Sequence, residues 1–290
     1  LNLVNVDLIK SKNFKVVVDA VNSTGGILVP KLLEKLGVEC IKLYCDPNGE
    51  FPHNPEPLPE NLQEISKMVI STNSDLGIVV DPDVDRLALV CEDGSMFGEE
   101  YTLVSVSDYV LSKTPGNTVS NLSSTRALAD ITKKYNCEYH ASAVGEVNVV
   151  EKMKLCNAVI GGEGNGGVIY PELHYGRDAL VGIALFLSNL AEKNISSLNL
   201  RNSYPNYFIS KNKLDLDPNT DIDYIFSHLK NKYSKNDINL VDGLKIDFDS
   251  GWVHLRRSNT EPIIRIYSES SSKEKADELA MDFVNQIKKI

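Results

Sequence analysis

The sequence holds one tryptophan, no C-x-x-C pair, no apolar run long enough to span a bilayer and no excess of positive charge. Each absence excludes something. Five cysteines (Cys40, Cys45, Cys91, Cys137, Cys156), odd in number and without metal-site spacing, argue against a disulfide framework and suit reduced thiols. With no signal-peptide pattern either, a cytoplasmic protein with no membrane partner is expected. A formal net charge of -10 argues against a nucleic-acid partner, which demands a basic face. A local group of arginines can still take a small anion. G-x-G-x-x-G and G-x-x-x-x-G-K-[ST] are both missing, so the Ser23-Thr24-Gly25-Gly26 stretch reads as a turn into a helix. The 290 residues suit two or three domains.

What is present centres on Asp81-Pro82-Asp83-Val84-Asp85-Arg86, between apolar runs at 76–80 and 87–91 that read as buried strands. Carboxylates at i, i+2 and i+4 of an extended loop can face one way, and they repel unless a cation sits among them. Hard oxygen ligands without His or Cys favour Mg²⁺ over Ca²⁺ or Mn²⁺, so Asp81, Asp83 and Asp85 are candidate metal ligands. An EF-hand also opens D-x-D-x-D, but Arg86 stands where that loop needs glycine and a strand occupies the rest. Arg86 is a fixed charge suited to a phosphoryl group beside the metal.

The order of patterns predicts an α/β class. A strand at 15–19 leads to a helix presenting Ile27, Leu28, Leu32 and Leu36; a strand at 40–44, a Pro/Asn loop at 46–55 and a helix at 59–70 follow. Strand–helix–strand–helix–strand implies a largely parallel sheet, with the acidic loop at the carboxyl end of a strand, where such sheets place ligands. A second unit has helices at 101–113 and 126–135, strands at 118–122 and 158–160, a turn at 142–146 before another helix, and a helix presenting Leu180, Ile183, Ala184 and Leu187 that Asp178 can cap. A third has strands at 207–209, 244–248, 252–255 and 263–267 with helices at 223–233 and at the carboxyl terminus. The expectation is two consecutive α/β layered domains with mixed sheets, 1–98 and 99–204, then a smaller α+β domain, 205–290. No repeat is evident.

Two further stretches carry chemistry. In Gly161-Gly162-Glu163-Gly164-Asn165-Gly166-Gly167, five glycines let backbone approach a ligand, and Glu163 and Asn165 could address vicinal hydroxyls. In Arg256-Arg257-Ser258-Asn259-Thr260-Glu261-Pro262, with Arg265 beyond, hydroxyls, an amide and guanidiniums suit a phosphate dianion.

These three motifs, in this order, resemble those of the α-D-phosphohexomutases, over essentially the whole chain. The resemblance implies domains two to four of a four-domain enzyme. In that family a phosphoserine of the first domain donates its phosphoryl group to a hexose 1- or 6-phosphate, and the hexose 1,6-bisphosphate formed turns over before returning the other phosphate. Carried over, Asp81, Asp83 and Asp85 hold Mg²⁺ and Arg86 sits beside the phosphoserine. Glu163 and Asn165 bind sugar hydroxyls, Arg256, Ser258, Asn259 and Thr260 grip the unreacting phosphate, and Arg177 and Arg265 are counted with the substrate-binding residues.

The chain departs from the pattern in two places. The first-domain T-A-S-H-N-P-type serine loop does not occur; Pro52-His53-Asn54-Pro55 mimics its tail with Pro for Ser. The chain also opens on Leu1, so the expected reading is a truncated mutase whose partner is the missing N-terminal domain. Ser123 and Glu146 stand where some members carry Lys and His, leaving the general acid and base unassigned. The sugar and phosphate loops lean toward a phosphomannomutase/phosphoglucomutase, with phosphoglucosamine mutase as the alternative. An aspartyl phosphatase and a non-catalytic sugar-phosphate-binding protein rank below both.

Overall fold

The computed structural model describes residues 2–217, 220–258 and 261–290. They form two compact units: Leu1–Asn121, Ala127–Ala141 and Gly145–Pro205 make the first, and Leu122–Arg126, Ser142–Val144 and Asn206–Ile290 the second.

The first unit begins with α1 (Val6–Ser11), β1 (Lys15–Asp19), α2 (Gly25–Lys35), β2 (Glu39–Leu43), α3 (Gln63–Ser71), β3 (Leu76–Val80) and β4 (Leu87–Cys91). Its sheet runs β2-β1-β3-β4, with β1 parallel to both neighbours and β4 antiparallel to β3. The chain leaves β1 to one side through α2 and returns to its other side through α3. The carboxyl ends of β1 and β3 therefore flank a topological switch point, where such sheets bind ligands. Every residue of β3 and β4 is buried, as their unbroken apolar runs require.

The same path recurs through α4 (Glu99–Lys113), β5 (Thr118–Asn121), α5 (Ala127–Lys134), β6 (Tyr139–Ser142), α6 (Glu146–Cys156), β7 (Ile160–Glu163), β8 (Gly167–Ile169), α7 (Ala179–Lys193) and α8 (Ser197–Asn202). This sheet runs β6-β5-β7-β8, again with an antiparallel last strand. The two halves share one topology without visible sequence repetition. Burial and topology can be satisfied by many apolar sequences, so the repeat survives in the path and not in the letters.

The second unit holds β9 (Phe208–Asp215), α9 (Ile222–Lys232), β10 (Asp237–Asn239), β11 (Leu244–Phe248), β12 (Gly251–Arg257), β13 (Ile263–Ser270) and α10 (Lys273–Ile287). Its antiparallel sheet runs β10-β11-β12-β13-β9. One face packs Leu244, Ile246, Val253, Leu255, Ile264 and Ile266 on Leu229 and Phe283 of the two helices. Two mixed sheets followed by an antiparallel one with helices is the fold class expected from the sequence.

Some expectations need correcting. Helix α2 buries Val29, Leu33 and Leu36, while Ile27 and Leu28 are exposed. Its inward stripe is rotated from the expected one because Gly25 and Gly26, at the helix start, face inward and let it lie close to its neighbours. Helix α7 has no polar face from Val181 to Ala191, because it packs against α4, β4 and β8 together. The strands β6, β8 and β10 and the helices α1 and α8 had no distinct pattern in the sequence, each being six residues or fewer. No helix among the described residues is long and apolar enough to cross a membrane.

Candidate active site

The inner strands of both α/β sheets end in polar groups: Asp19 closes β1, Asp81 follows β3, Asn121 closes β5 and Glu163 closes β7. All four are buried.

Asp81 shapes the acidic loop. Its Oδ1 accepts the backbone N–H groups of Asp85 (3.1 Å) and Arg86 (3.0 Å), and its Oδ2 accepts Arg86 Nε at 2.6 Å. Burial alone would raise this carboxyl, but the Arg86 side chain and backbone donors outweigh it and hold it below its ordinary value. Val84 takes a left-handed conformation (φ 62°), which a β-branched residue rarely adopts. Its burial, its own N–H on Asp81 O (3.1 Å) and its carbonyl accepting Ala179 N–H (3.0 Å) hold it there. Ser23 Oγ (2.5 Å) and Thr24 Oγ1 (2.9 Å) both donate to Pro82 O, so the turn after β1 braces the same loop.

In this shape Asp81, Asp83 and Asp85 each offer a carboxylate oxygen within 4.8 Å of the others. Three carboxylates gathered this closely, with no His or Cys among them, are the hard oxygen donors that Mg²⁺ takes. The Asp85 carboxyl is pushed up to about 6, by burial first, then by its hydrogen bond with Asp81 and the repulsion between the two.

The Gly-Glu loop is the second component. Glu163 Oε1 accepts Asn121 Nδ2 (2.9 Å) and Gly145 N–H (3.0 Å), and Oε2 accepts Arg177 Nη1 (3.0 Å). Asn165 is half-buried, its Oδ1 accepting Gly167 N–H at 3.3 Å. Two of the glycines serve neighbours within the protein. A Cβ at Gly166 (φ 89°) would overlap the Leu87 carbonyl, and one at Gly164 would overlap the Glu100 carboxylate. The loop then pairs with the start of β4 through Leu87 N–H to Gly166 O (3.1 Å) and an Arg86–Gly167 bridge. The two motifs, far apart in sequence, lie side by side.

Arg177 completes the junction. It precedes Asp178, whose carboxylate caps α7 through Leu180 N–H (2.7 Å) and Val181 N–H (3.0 Å). Its guanidinium bonds Asp85 with Nη2 and Glu163 with Nη1, and its Nε lies 3.6 Å from Glu146 Oε2.

The second unit places the phosphate-motif residues separately. Arg256 and Arg265 are register partners across β12 and β13, and Arg265 pairs in turn with Lys213 of β9. Register partners project from the same face, so three cations form a row where like charges would ordinarily be avoided. Such a row suits an anion. Ser258 follows β12, its N–H on Ile263 O at 3.1 Å; Asn259 and Thr260 lie outside the described residues. Asp242 steadies the row's end, with Oδ2 on Arg256 Nη1 (3.5 Å) and on Val144 N–H (3.0 Å). On the same strand, buried His254 joins Ser123 Oγ (2.9 Å) to Asp242 O (2.6 Å). Burial pushes His254 down to about 4.

Sequence reading missed Asn121, Lys213, Asp242 and His254. Asn121 carried little signal, because its short strand Thr118-Val119-Ser120-Asn121 is itself mostly polar. Lys213 carried none, because its place in the row depends on strand register.

Comparison with known proteins identifies the family. Family models for phosphoglucomutase/phosphomannomutase match in succession: alpha/beta/alpha domain II over residues 1–94, alpha/beta/alpha domain III over 98–207 and the C-terminal domain over 226–286. The chain belongs to the phosphoglucomutase/phosphomannomutase family. A phosphoglucomutase/phosphomannomutase of Thermococcus kodakarensis is 36% identical over 281 residues, covering 96% of this chain and 61% of its own. A phosphoglucosamine/phosphogalactosamine mutase of Sulfurisphaera tokodaii is 32% identical over 296 residues, covering 100% of this chain and 64% of its own. The crystal structure of a phosphoglucomutase/phosphomannomutase family protein from Burkholderia thailandensis superposes with a TM-score of 0.84 at 29% identity, covering 98% of this chain and 63% of that one. The chain thus spans rather less than two thirds of the length of these family members.

Proposed function

We propose that this chain forms part of a phosphohexomutase that interconverts hexose 1-phosphate and hexose 6-phosphate, of the phosphomannomutase/phosphoglucomutase kind. The observation that carries this reading is the meeting of the acidic loop with the Gly-Glu loop through Arg177, both loops starting from strand carboxyl ends. Asp81, Asp83 and Asp85 would hold Mg²⁺, which when bound supplies charge neutralisation for a transferring phosphoryl group. Arg86, fixed on Asp81, presents its remaining donors to that group. Glu163 and Asn165 serve sugar hydroxyls, Arg177 a ligand oxygen, and Arg256, Ser258, Asn259, Thr260 and Arg265 the phosphate that does not react. In this reading a phosphoserine from a further domain loses its phosphoryl group to a sugar hydroxyl. The serine P–O bond breaks as the sugar P–O bond forms, and the proton lost by the sugar hydroxyl ends on the serine oxygen, leaving a free serine hydroxyl. After the hexose 1,6-bisphosphate turns over, the second transfer reverses these changes. The reaction belongs to the cytoplasm and needs neither membrane nor nucleic acid.

One observation favours a second reading, phosphoglucosamine mutase: a relative matching the whole chain bears a name of that kind. A coupled assay with Mg²⁺ and hexose 1,6-bisphosphate primer tests both. Glucose 1-phosphate, mannose 1-phosphate and glucosamine 1-phosphate are compared, with and without a phosphoserine domain of a relative supplied in trans. Turnover that requires the added domain is expected, and the preferred sugar separates the two readings. Failure to turn over any of the three, with saturable binding also missing, would sink the mutase reading.

A further inference from the structure

Arg177 is anchored at its backbone and mobile in its options. Its N–H is held by Glu146 Oε1 at 3.0 Å, an isolated bridge joins it to Ile169, and the next residue caps α7. Its guanidinium, by contrast, is shared among three carboxylates from three segments: Asp85, Glu163 and Glu146. The buried Nε has no hydrogen-bond partner among the described residues, so one donor is in reserve. Room for this side chain comes from Gly167, where a Cβ would overlap Arg177 Cδ. A glycine in one loop therefore admits a cation from another segment.

The partners of the acidic loop show what that cation does. Arg86 bonds Asp81 and lies 3.9 Å from Asp85, Arg177 bonds Asp85 directly, and Asp83 is exposed with no ion pair among the described residues. A divalent cation bound by all three carboxylates would share Asp85 with a guanidinium already seated on it. Two cations on one carboxylate repel at short range, the more so where burial limits screening.

We propose that Arg177 is a resident counter-ion that couples metal binding to ligand binding: a divalent cation entering the acidic loop displaces its guanidinium from Asp85 and frees it for an anionic oxygen of the sugar phosphate. This rests on the reading of Asp81, Asp83 and Asp85 as the metal site. Linkage makes the coupling reciprocal, so Mg²⁺ tightens sugar-phosphate binding by the factor with which the sugar phosphate tightens Mg²⁺. Arg177 is on this account a positioning residue whose target changes with the metal.

Calorimetric titration of the chain with MgCl₂, without substrate or turnover, tests the competition. Arg177→Gln removes the rival charge; Gly167→Val keeps the charge but fills the space its stem occupies. Both variants are expected to bind Mg²⁺ about tenfold more tightly than the natural chain, within the usual range of coupling between sites. Thermal unfolding confirms that each variant is folded. Glucose 1-phosphate titrated with and without Mg²⁺ should show tightening by the metal in the natural chain and none in Arg177→Gln. Mg²⁺ affinity unchanged or weakened in both variants would overturn the counter-ion role while leaving the metal site standing. No Mg²⁺ binding by the natural chain or either variant would overturn the metal reading and the inference with it.

Discussion

Asp85 and Arg177, 92 residues apart, form an ion pair that ties the acidic loop to the segment leading into α7. Because Arg177 also bonds Glu163, one guanidinium spans two motifs that arise from separate sheets. The site is therefore a junction of strand ends, and its parts carry different loads.

Asp81 and Asp83 separate architecture from ligation. Asp81→Ala leaves Arg86 and two backbone N–H groups without their acceptor and is expected to cost about 2–4 kcal/mol in urea unfolding. Asp83→Ala, at an exposed position, should change stability by no more than about 0.5 kcal/mol. It should nonetheless weaken Mg²⁺ binding on the order of tenfold, since one of three charged ligands is gone. Equal stability losses in the two variants would contradict this division.

Gly166 sits at the seam of the two loops. Gly166→Ala meets both an unfavourable left-handed backbone and the Leu87 carbonyl, which belongs to a buried strand and has little room to yield. A loss of about 2–4 kcal/mol is expected, with weakened sugar-phosphate binding. Denaturant unfolding checks it, and an unchanged midpoint would show that the seam can open at little cost.

The cationic row of the second unit predicts graded effects on anion binding. Arg256→Ala should weaken glucose 1-phosphate more than tenfold, and Lys213→Ala, at the exposed end, about threefold, falling away in high salt. Titration at two salt concentrations reads this directly. If Lys213→Ala has no effect even at low salt, the row does not act as a unit.

His254 gives stability a pH dependence. The folded ring is held neutral down to about 4, while in the unfolded chain it protonates near the ordinary 6.5. The unfolded state alone gains a proton as pH falls through that interval, so stability is lost from about pH 6.5 downward and the loss is complete below about 4. Between about pH 7 and pH 5 the natural chain should lose about 2 kcal/mol more than His254→Gln. Parallel slopes for the two proteins would rule out this role for the ring.

The legible part of the molecule was local. Unbroken apolar runs marked β3 and β4 because strands buried on both faces need no polar positions, and the three carboxylates announced themselves by spacing. Helix faces were less legible. Ile27 and Leu28 looked like core, yet the helix turns Val29 and Leu33 inward, because the close approach at Gly25 and Gly26 sets its rotation. In the sequence the glycines of the Gly-Glu loop signal room for a ligand; in the structure the room at Gly164, Gly166 and Gly167 is taken by Glu100, Leu87 and Arg177.

By itself the sequence determined the class of fold, the hard-oxygen chemistry of Asp81, Asp83 and Asp85, and the presence of separate glycine-rich and arginine-bearing loops. Those follow from residue type and near-neighbour spacing. Only the tertiary structure decided that Arg177 answers to Asp85 and Glu163, that Asn121 holds Glu163, and that Lys213, Arg265 and Arg256 stand in one row. Such meetings depend on strand order and register, and a slip of one residue would send each side chain to the opposite face.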